Sequence, residues 1–124
     1  MSIAEYLESI KVAIPGLQSL SITDKDGVEV FSTSRLKTNS EELQILSVIF
    51  SLTHEQCQKL EEFGPTDYLL TEYEDGSSFL QANMTPLLVS IKAKGVARNV
   101  LLDAVDKCRS VLKDLRKQIA STVD

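Results

Sequence analysis

Apolar and polar positions along this chain follow two kinds of pattern, and together they predict eight elements. Apolar residues spaced three and four apart indicate helices over 3–13, 41–63 and 99–120. Apolar stretches bounded by turn residues indicate strands over 17–23, 28–33, 66–74, 77–84 and 86–94. Strands joined by short hairpins favour antiparallel pairing. We therefore expect an α+β domain, in which a five-stranded antiparallel sheet carries helices on its faces.

Turn and cap residues set the expected element boundaries. Ser2 is placed to cap the first helix and Pro15-Gly16 to end it. Asp24-Lys25-Asp26-Gly27 predicts a hairpin turn, with Gly27 free to take a positive φ, and Asp75-Gly76 predicts a second one. The polar connection 34–40 supplies Ser40 as a cap for the long second helix, and Gly64-Pro65 closes that helix.

The second helix carries two apolar arcs where a surface helix needs one. The expected core arc contains Leu46, Ile49, Phe50, Thr53, Cys57 and Leu60. A second arc, hereafter the outer arc, contains Ile45, Val48 and Leu52 and is prolonged by Gln56 and Lys59. A third arc is polar, includes Ser47 and His54, and is expected to face water. Exposed apolar surface of this kind often marks an interface, although a single domain wrapping the helix with its own loops is the alternative. If the outer arc is an interface, the following strand from Thr66 is expected to be a sheet edge that pairs with a partner strand.

The last helix has its own apolar spacing, which fits either a helix lying on a sheet or a heptad seam. Its apolar positions are Leu101, Val105, Cys108, Leu112, Leu115 and Ile119. The length favours the helix on a sheet. Cys57 and Cys108 both fall on apolar faces and are expected to be buried, reduced thiols of an intracellular protein.

Length and charge narrow the class of protein. A chain of 124 residues suits one domain, 1–124, large enough to hold a core without staples. A net charge of -5 with interspersed signs argues against nucleic acid and against docking on an anionic membrane. No signal peptide, myristoylation signal or membrane-spanning run is expected, so any membrane location depends on partners.

Candidate chemistry is sparse, and we predict no catalytic residues, cofactor or metal. His54 is the one histidine, and neither a nucleotide-binding loop nor a nucleophile elbow is present. The spacing around Asp24 fits a turn better than a calcium loop. Asn83 begins a glycosylation sequon, which we set aside without a secretory signal. The acidic group Glu72, Glu74 and Asp75 is interpreted as a solvated turn, with a contact for a basic partner as the alternative.

Several segments in this order resemble the roadblock/dynein light chain family, and within it the scaffold subunits that partner MEK in Ragulator complexes. The first hairpin of the family is similar to Gly16-Leu17 with the segment 23–30. The long helix is similar at Phe50-Ser51-Leu52, Gln56, Lys59 and Leu60. The later part is similar at Gln81, Asn83, the segment 86–90, Leu112 and Leu115-Arg116.

The resemblance implies a long helix on one sheet face, the terminal helices on the other, and pairing with a second roadblock subunit. The implied seam consists of Ile45, Val48, Leu52, Gln56, Lys59, Tyr68, Leu69, Leu70, Thr71 and Glu72. It further implies a cytoplasmic scaffold that larger assemblies recruit to late endosomes and lysosomes, linking MEK and ERK signalling with Rag GTPase control of the TOR kinase. Two alternatives remain: a homodimeric roadblock regulator of a small GTPase or dynein, and a small-molecule-binding domain or enzyme on a profilin-like sheet.

Overall fold

A computed structural model describes residues 2–24, 26, 28–33 and 40–122, with the side chains of 40–43, 61 and 115–122 outside the description. The elements, in chain order, are α1 (Ile3–Ala13), β1 (Leu17–Asp24), β2 (Glu29–Ser32), α2 (Ser40–Cys57), a 3₁₀ helix (Glu61–Phe63), β3 (Tyr68–Glu72), β4 (Ser77–Met84), β5 (Leu87–Lys94) and α3 (Arg98–Thr122). Several predictions lie outside the described residues: Gly27, the connection at 34–39, the capping side chain of Ser40, and the side chains of Leu115 and Ile119.

The strands form one antiparallel sheet in the order β2-β1-β5-β4-β3. The predicted α+β class and the five-stranded antiparallel sheet are therefore confirmed. β5, the last strand in the chain, lies at the centre, while β2 and β3 are the two edges. This order places β3, the strand that follows the long helix, where one side of its backbone pairs with no other strand of the described residues.

The hydrophobic core lies between one face of the sheet and the helices α1 and α3. Alternate strand residues point into it, which is why the apolar positions of β1, β4 and β5 recur every second residue. The sheet contributes Leu17, Leu20, Ile22, Leu80, Ala82, Met84, Val89, Ile91 and Ala93, and the helices contribute Leu7, Ile10, Leu101, Ala104, Val105, Cys108 and Leu112. The last helix thus lies on a sheet, as its length favoured.

The opposite sheet face is polar at its centre, carries the buried Leu88 towards one end, and is covered by α2. Gln81, Ser90 and Ser21 are cross-strand neighbours in the register of β4, β5 and β1, and each is buried. Buried polar groups need hydrogen-bond partners. Gln81 Nε2 donates to the backbone carbonyl of Leu46, which ties α2 to the centre of the sheet.

Two elements are clearly shorter than predicted, and the other bounds agree within two residues. α2 ends at Cys57 rather than at Phe63, and hydrogen bonds spanning three residues then lead into the 3₁₀ helix, as in Leu60 N to Cys57 O (3.0 Å). Helical stability in proteins comes mostly from packing. Because the side chains described between positions 55 and 60 are all exposed, no packed face holds a regular helix there. β3 is likewise shorter than predicted, since the ladder with β4 runs from Tyr68 to Glu72.

Gly16 joins α1 to β1 and sits against the end of β5. Its φ is +94°, and a Cβ atom at this position would lie 2.4 Å from the carbonyl oxygen of Lys94. The Gly16 carbonyl accepts a hydrogen bond from the Lys94 amide (2.9 Å). The close approach of the two backbones therefore requires glycine.

Candidate partner-binding surface

The outer arc of α2 is exposed. Ile45, Val48 and Leu52 keep 54%, 57% and 57% of their surface accessible, and Ile49 joins them at 44%. Gln56 and Lys59 prolong the arc and are also exposed, with Lys59 Nζ donating to Gln56 Oε1 (3.0 Å). The helix thus presents branched apolar side chains to solvent, flanked at one end by a polar pair.

The inner side of α2 differs from the prediction. Phe50 is buried and Leu46 and Thr53 are half-buried, as expected of a core arc, but Ile49 and Leu60 are exposed. Ser47, expected to face water, is buried. Ser47 fits against the polar centre of the sheet face, and Phe50 is buried on the same side of the helix. The inner side of α2 is therefore mixed in polarity, and the apolar residues Ile45, Val48, Ile49 and Leu52 lie outside.

His54 also lies on this inner side, so its prediction as a solvent-facing residue is wrong. It is half-buried, and its ring stacks on Phe50 with centroids 5.8 Å apart and planes 11° from parallel. Gln58 Nε2 donates to His54 Nε2 (3.0 Å). Stacking on a buried aromatic ring accounts for its orientation.

Beside His54, a groove of about 380 Å³ opens between α2 and the turn that joins β4 to β5. Its walls include Ser47, Phe50, Asn83, Pro86 and Leu88. The groove residues that the structure describes offer His54 but no cysteine, lysine or carboxylate beside it. Ser47, Ser51 and Thr85 also line the groove, but the hydrogen bond described for the His54 ring comes from Gln58 and not from one of these hydroxyl groups.

The two cysteines differ. Cys108 is fully buried, which raises the pKa of its thiol to about 12. Cys57 is exposed, which corrects the prediction that both are buried. It follows Phe50 by two helical turns, at the end of α2 where the neighbouring side chains are exposed as well.

β3 is the edge strand of the predicted seam, and it is regular. All five of its residues pair with β4 without a register shift, from Tyr68 opposite Ala82 to Glu72 opposite Ser78. Tyr68 and Glu72 are exposed, whereas Leu69, Leu70 and Thr71 are half-buried, and Leu70 packs against the core. The structure therefore brings both parts of the predicted seam to the surface.

The acidic group next to β3 is used locally. Glu72 accepts two hydrogen bonds from Arg98, one of them from Nη2 at 3.1 Å, and this pairing lowers the pKa of its carboxyl group. Asp75 accepts from the Ser77 amide (2.9 Å) across its turn, which lowers the pKa of the Asp75 carboxyl group. Glu74 is exposed. The turn interpretation therefore accounts for Asp75, and an ion pair accounts for Glu72.

Other candidate sites are explained by local structure. Asp24 Oδ1 accepts from the amides of Asp26 (2.9 Å) and Val28 (3.0 Å), so it closes the first hairpin as an Asx turn. Asn83 donates to the Thr66 carbonyl (2.8 Å) and accepts from Thr85. In the described part of the chain, no three His, Cys, Asp or Glu side chains are grouped to share a metal ion. None of the helices searched over the same residues combines the length and hydropathy needed to cross a bilayer.

Comparison with known structures places the fold. A Roadblock/LC7 domain from Streptomyces avermitilis superposes with a TM-score of 0.77 at 11% identity, covering 97% of this chain and 99% of that chain. Myxococcus xanthus MglB gives 0.69 at 10% identity, covering 93% of each chain. Profilin IA of Acanthamoeba castellanii gives 0.59 at 11% identity, covering 90% of this chain and 96% of that chain. At these identities the likeness shows the fold alone.

Comparison of sequences identifies the family. No curated protein matches the chain at a significant level. The family model described as "Mitogen-activated protein kinase kinase 1 interacting" matches residues 1–119. Because this match spans nearly the whole chain, and the structure has the fold of the Roadblock/LC7 domains, the chain belongs to the mitogen-activated protein kinase kinase 1 interacting family.

Proposed function

We propose that this chain is a non-catalytic scaffold subunit that forms a heterodimer with a second roadblock subunit. The whole chain acts as one roadblock domain, and its seam consists of the outer arc of α2 and the edge strand β3. The observation that carries the proposal is the outer arc of α2, where Val48 and Leu52 are each 57% exposed. Burying each large apolar side chain is worth about 1.5–3 kcal/mol, so a partner that covers the arc gains a substantial driving force.

The two sheet edges support the choice of β3 for strand pairing. β2 has four residues, and its ladder with β1 is interrupted by a register shift between Ile22 and Thr23. Short, irregular edges resist pairing with another chain. β3 has no such irregularity, and it follows α2 in the chain, so a partner strand added there extends the sheet beside the outer arc.

The proposed mechanism is co-localisation. A scaffold that binds two proteins at once raises the effective concentration of each for the other without any chemistry. The family name supports MEK as one bound protein. By the resemblance described above, the proposed setting is a Ragulator-like complex on late endosomes and lysosomes, where MEK and ERK signalling meets Rag GTPase control of the TOR kinase. The proposed recruitment to that membrane is through partner subunits.

A second candidate is a homodimeric roadblock regulator of a small GTPase or dynein. It is favoured by the fold shared with MglB, a protein that has been solved in a tetrameric arrangement. The same outer arc would then face a second copy of this chain. The two candidates therefore differ in the identity of the partner rather than in the surface.

The test is the mass of the purified chain in solution by light scattering, alone and with a second roadblock subunit from the same genome. We expect a monomer that becomes a one-to-one complex, and we expect Val48→Asp or Leu52→Asp to abolish that complex because a carboxylate would be buried in the seam.

Val12→Asp is the matched control, since Val12 is 76% exposed on α1 and lies outside the proposed seam. Its complex should form normally. A complex that survives Val48→Asp unchanged would overturn the seam. A stable homodimer that ignores the added subunit would favour the second candidate.

A further inference from the structure

Two ion pairs join α3 to the two ends of the edge strand β3. Arg109 Nη2 pairs with Asp67 Oδ1, directly before the strand begins. Arg98 pairs with Glu72 at the end of the strand, through Nε to Oε1 and Nη2 to Oε2. The helix and the strand are thus linked by an ion pair at each end of β3. Because Arg98 pairs with the later acidic residue and Arg109 with the earlier one, the two elements run in opposite directions.

The spacing of these pairs fits the geometry of the two elements. Arg98 and Arg109 are three turns apart on α3, a distance of roughly 16 Å at the helical rise. Asp67 and Glu72 are separated by roughly 17 Å along an extended strand. Because the two lengths agree, both pairs form together, and they set the register of β3 along α3.

β3 has few other attachments. Its backbone pairs on one side only, with β4, and Leu70 is its one side chain that packs against the described core. Asp67 adds one backbone bond, in which its carbonyl accepts from the Asn83 amide (2.8 Å). Edge elements with little buried apolar surface open locally more readily than core strands, so ion pairs at both ends matter more here than on a well-buried element.

The chemistry of the pairs suits a positioning role. Isolated surface ion pairs contribute little, but a bidentate pair of arginine and carboxylate adds directional hydrogen bonds. The Arg98–Glu72 pair has that two-bond form, and its hydrogen bonds lower the pKa of the Glu72 carboxyl group. The negative charges of Asp67 and Glu72 are thus each balanced by an arginine, next to the strand edge to which a partner strand would be added.

We infer that Arg98 and Arg109 are positioning residues for the β3 edge, holding both ends of the strand so that it is ordered before a partner strand adds to it. The inference rests on the proposed function for the identity of the partner. The ordering of β3, however, is a property of the isolated chain. Pre-ordering an edge reduces the entropy lost on binding and so tightens the complex.

The experiment measures hydrogen–deuterium exchange over 68–72 in the isolated chain for the double variant Arg98→Ala/Arg109→Ala. We expect exchange there to rise roughly three- to tenfold, while the central strand β5 is unchanged. Lys107→Ala is the matched control, because Lys107 pairs with Asp103 within α3 (3.4 Å) and does not reach β3. The charge-swapped variant Arg98→Glu/Glu72→Arg retains an ion pair at this position, so the end of the strand should again be protected from hydrogen exchange.

The second measurement is affinity for the roadblock partner, which we expect to fall several-fold in the double variant and to stay constant in Lys107→Ala. If β3 exchanges in the double variant as slowly as in Lys107→Ala, the inference is overturned whether or not a partner binds. If exchange rises but affinity is constant, the ordering has no role in pairing and the inference fails. If exchange rises in the double variant but the unmodified chain binds no roadblock partner, the proposed heterodimer is wrong. The arginines would then order β3 without a role in partner binding.

Discussion

At the scale of single residues, the two cysteines place the same thiol in opposite surroundings. Cys108 lies between α3 and the sheet, and burial raises its pKa to about 12. The thiolate is the nucleophilic form, so this thiol is doubly protected, by its protonation and by lack of access. Cys57 lies at the exposed end of α2.

We therefore predict that one thiol per native chain reacts with an alkylating reagent at neutral pH and two react in denaturant, as counted by mass spectrometry. Cys57→Ser is the control and should leave no reactive thiol in the native chain. Rapid native labelling of Cys108 would contradict the burial on which the prediction depends.

The burial of side chains on α2 was harder to predict than the helix itself, as Ser47, His54 and Cys57 show. The sequence predicts which residues share an arc, because the helical repeat is regular. It assigns the apolar arc to the interior by assuming that a sheet offers an apolar face. Here the centre of the face consists of Ser21, Gln81 and Ser90, so Ser47 is buried there as well as Phe50, while Ile49 of the expected core arc is exposed.

At the scale of elements, the junction of α1, β1 and β5 depends on Gly16. Any other residue there would need a left-handed backbone and would place a Cβ atom 2.4 Å from the Lys94 carbonyl oxygen. Gly95 also has a positive φ, +71°, but a Cβ atom would have nothing within 4 Å. Comparing substitutions at the two glycines therefore separates the free-energy cost of a left-handed backbone from the cost of the close contact with Lys94.

We expect Gly95→Ala to lower the free energy of unfolding by about 1–2 kcal/mol, the cost of a left-handed backbone. Gly16→Ala should lower it by at least about 1 kcal/mol more, because two backbones must move apart. Urea unfolding of both variants, followed by circular dichroism, gives the two values. Equal losses would show that the junction yields to the added methyl group.

Most elements follow from local patterns, and the exceptions have a common origin. α1 matches its predicted bounds, Ile3–Ala13, because its cap and its stop signals are both local: Ser2 Oγ accepts from the Glu5 amide (3.2 Å). The early end of α2 is not local. The residues after Cys57 are good helix formers, and the helix stops where it loses the sheet beneath it. The ion pairs between α3 and β3 likewise could not be predicted from the sequence, because Arg109 and Asp67 are distant in the chain and only the fold brings them together.

At the scale of the whole molecule, both parts of the proposed seam lie on the sides that the core leaves open. The core is shared by α1, α3 and one sheet face, while α2 covers the other face with the Gln81–Leu46 hydrogen bond and the buried Phe50. Apolar surface therefore remains available on α2 for a partner.

If the proposed partner binds only the folded chain, mass action must stabilise it. At a partner concentration a hundred times Kd, the gain is about 2.7 kcal/mol, which raises Tm by about 10 °C for a domain of this size. Thermal unfolding at increasing partner concentration measures the shift. Val48→Asp should abolish the shift, while the Tm of that variant alone stays near that of the unmodified chain, because Val48 is exposed. A Tm that ignores the partner would argue against pairing through folded subunits.

The polar layer beneath α2 has a consequence for how the two sides of the sheet respond to temperature. Apolar burial dominates the heat capacity change of unfolding and weakens on cooling, whereas exposing polar groups changes heat capacity in the opposite direction. The side built on Leu20, Leu80 and Ile91 is therefore the cold-sensitive half of the molecule. The side held by Gln81 buries less apolar surface, chiefly Phe50 and Leu88, so we expect the docking of α2 to weaken less on cooling than the packing of α1 and α3.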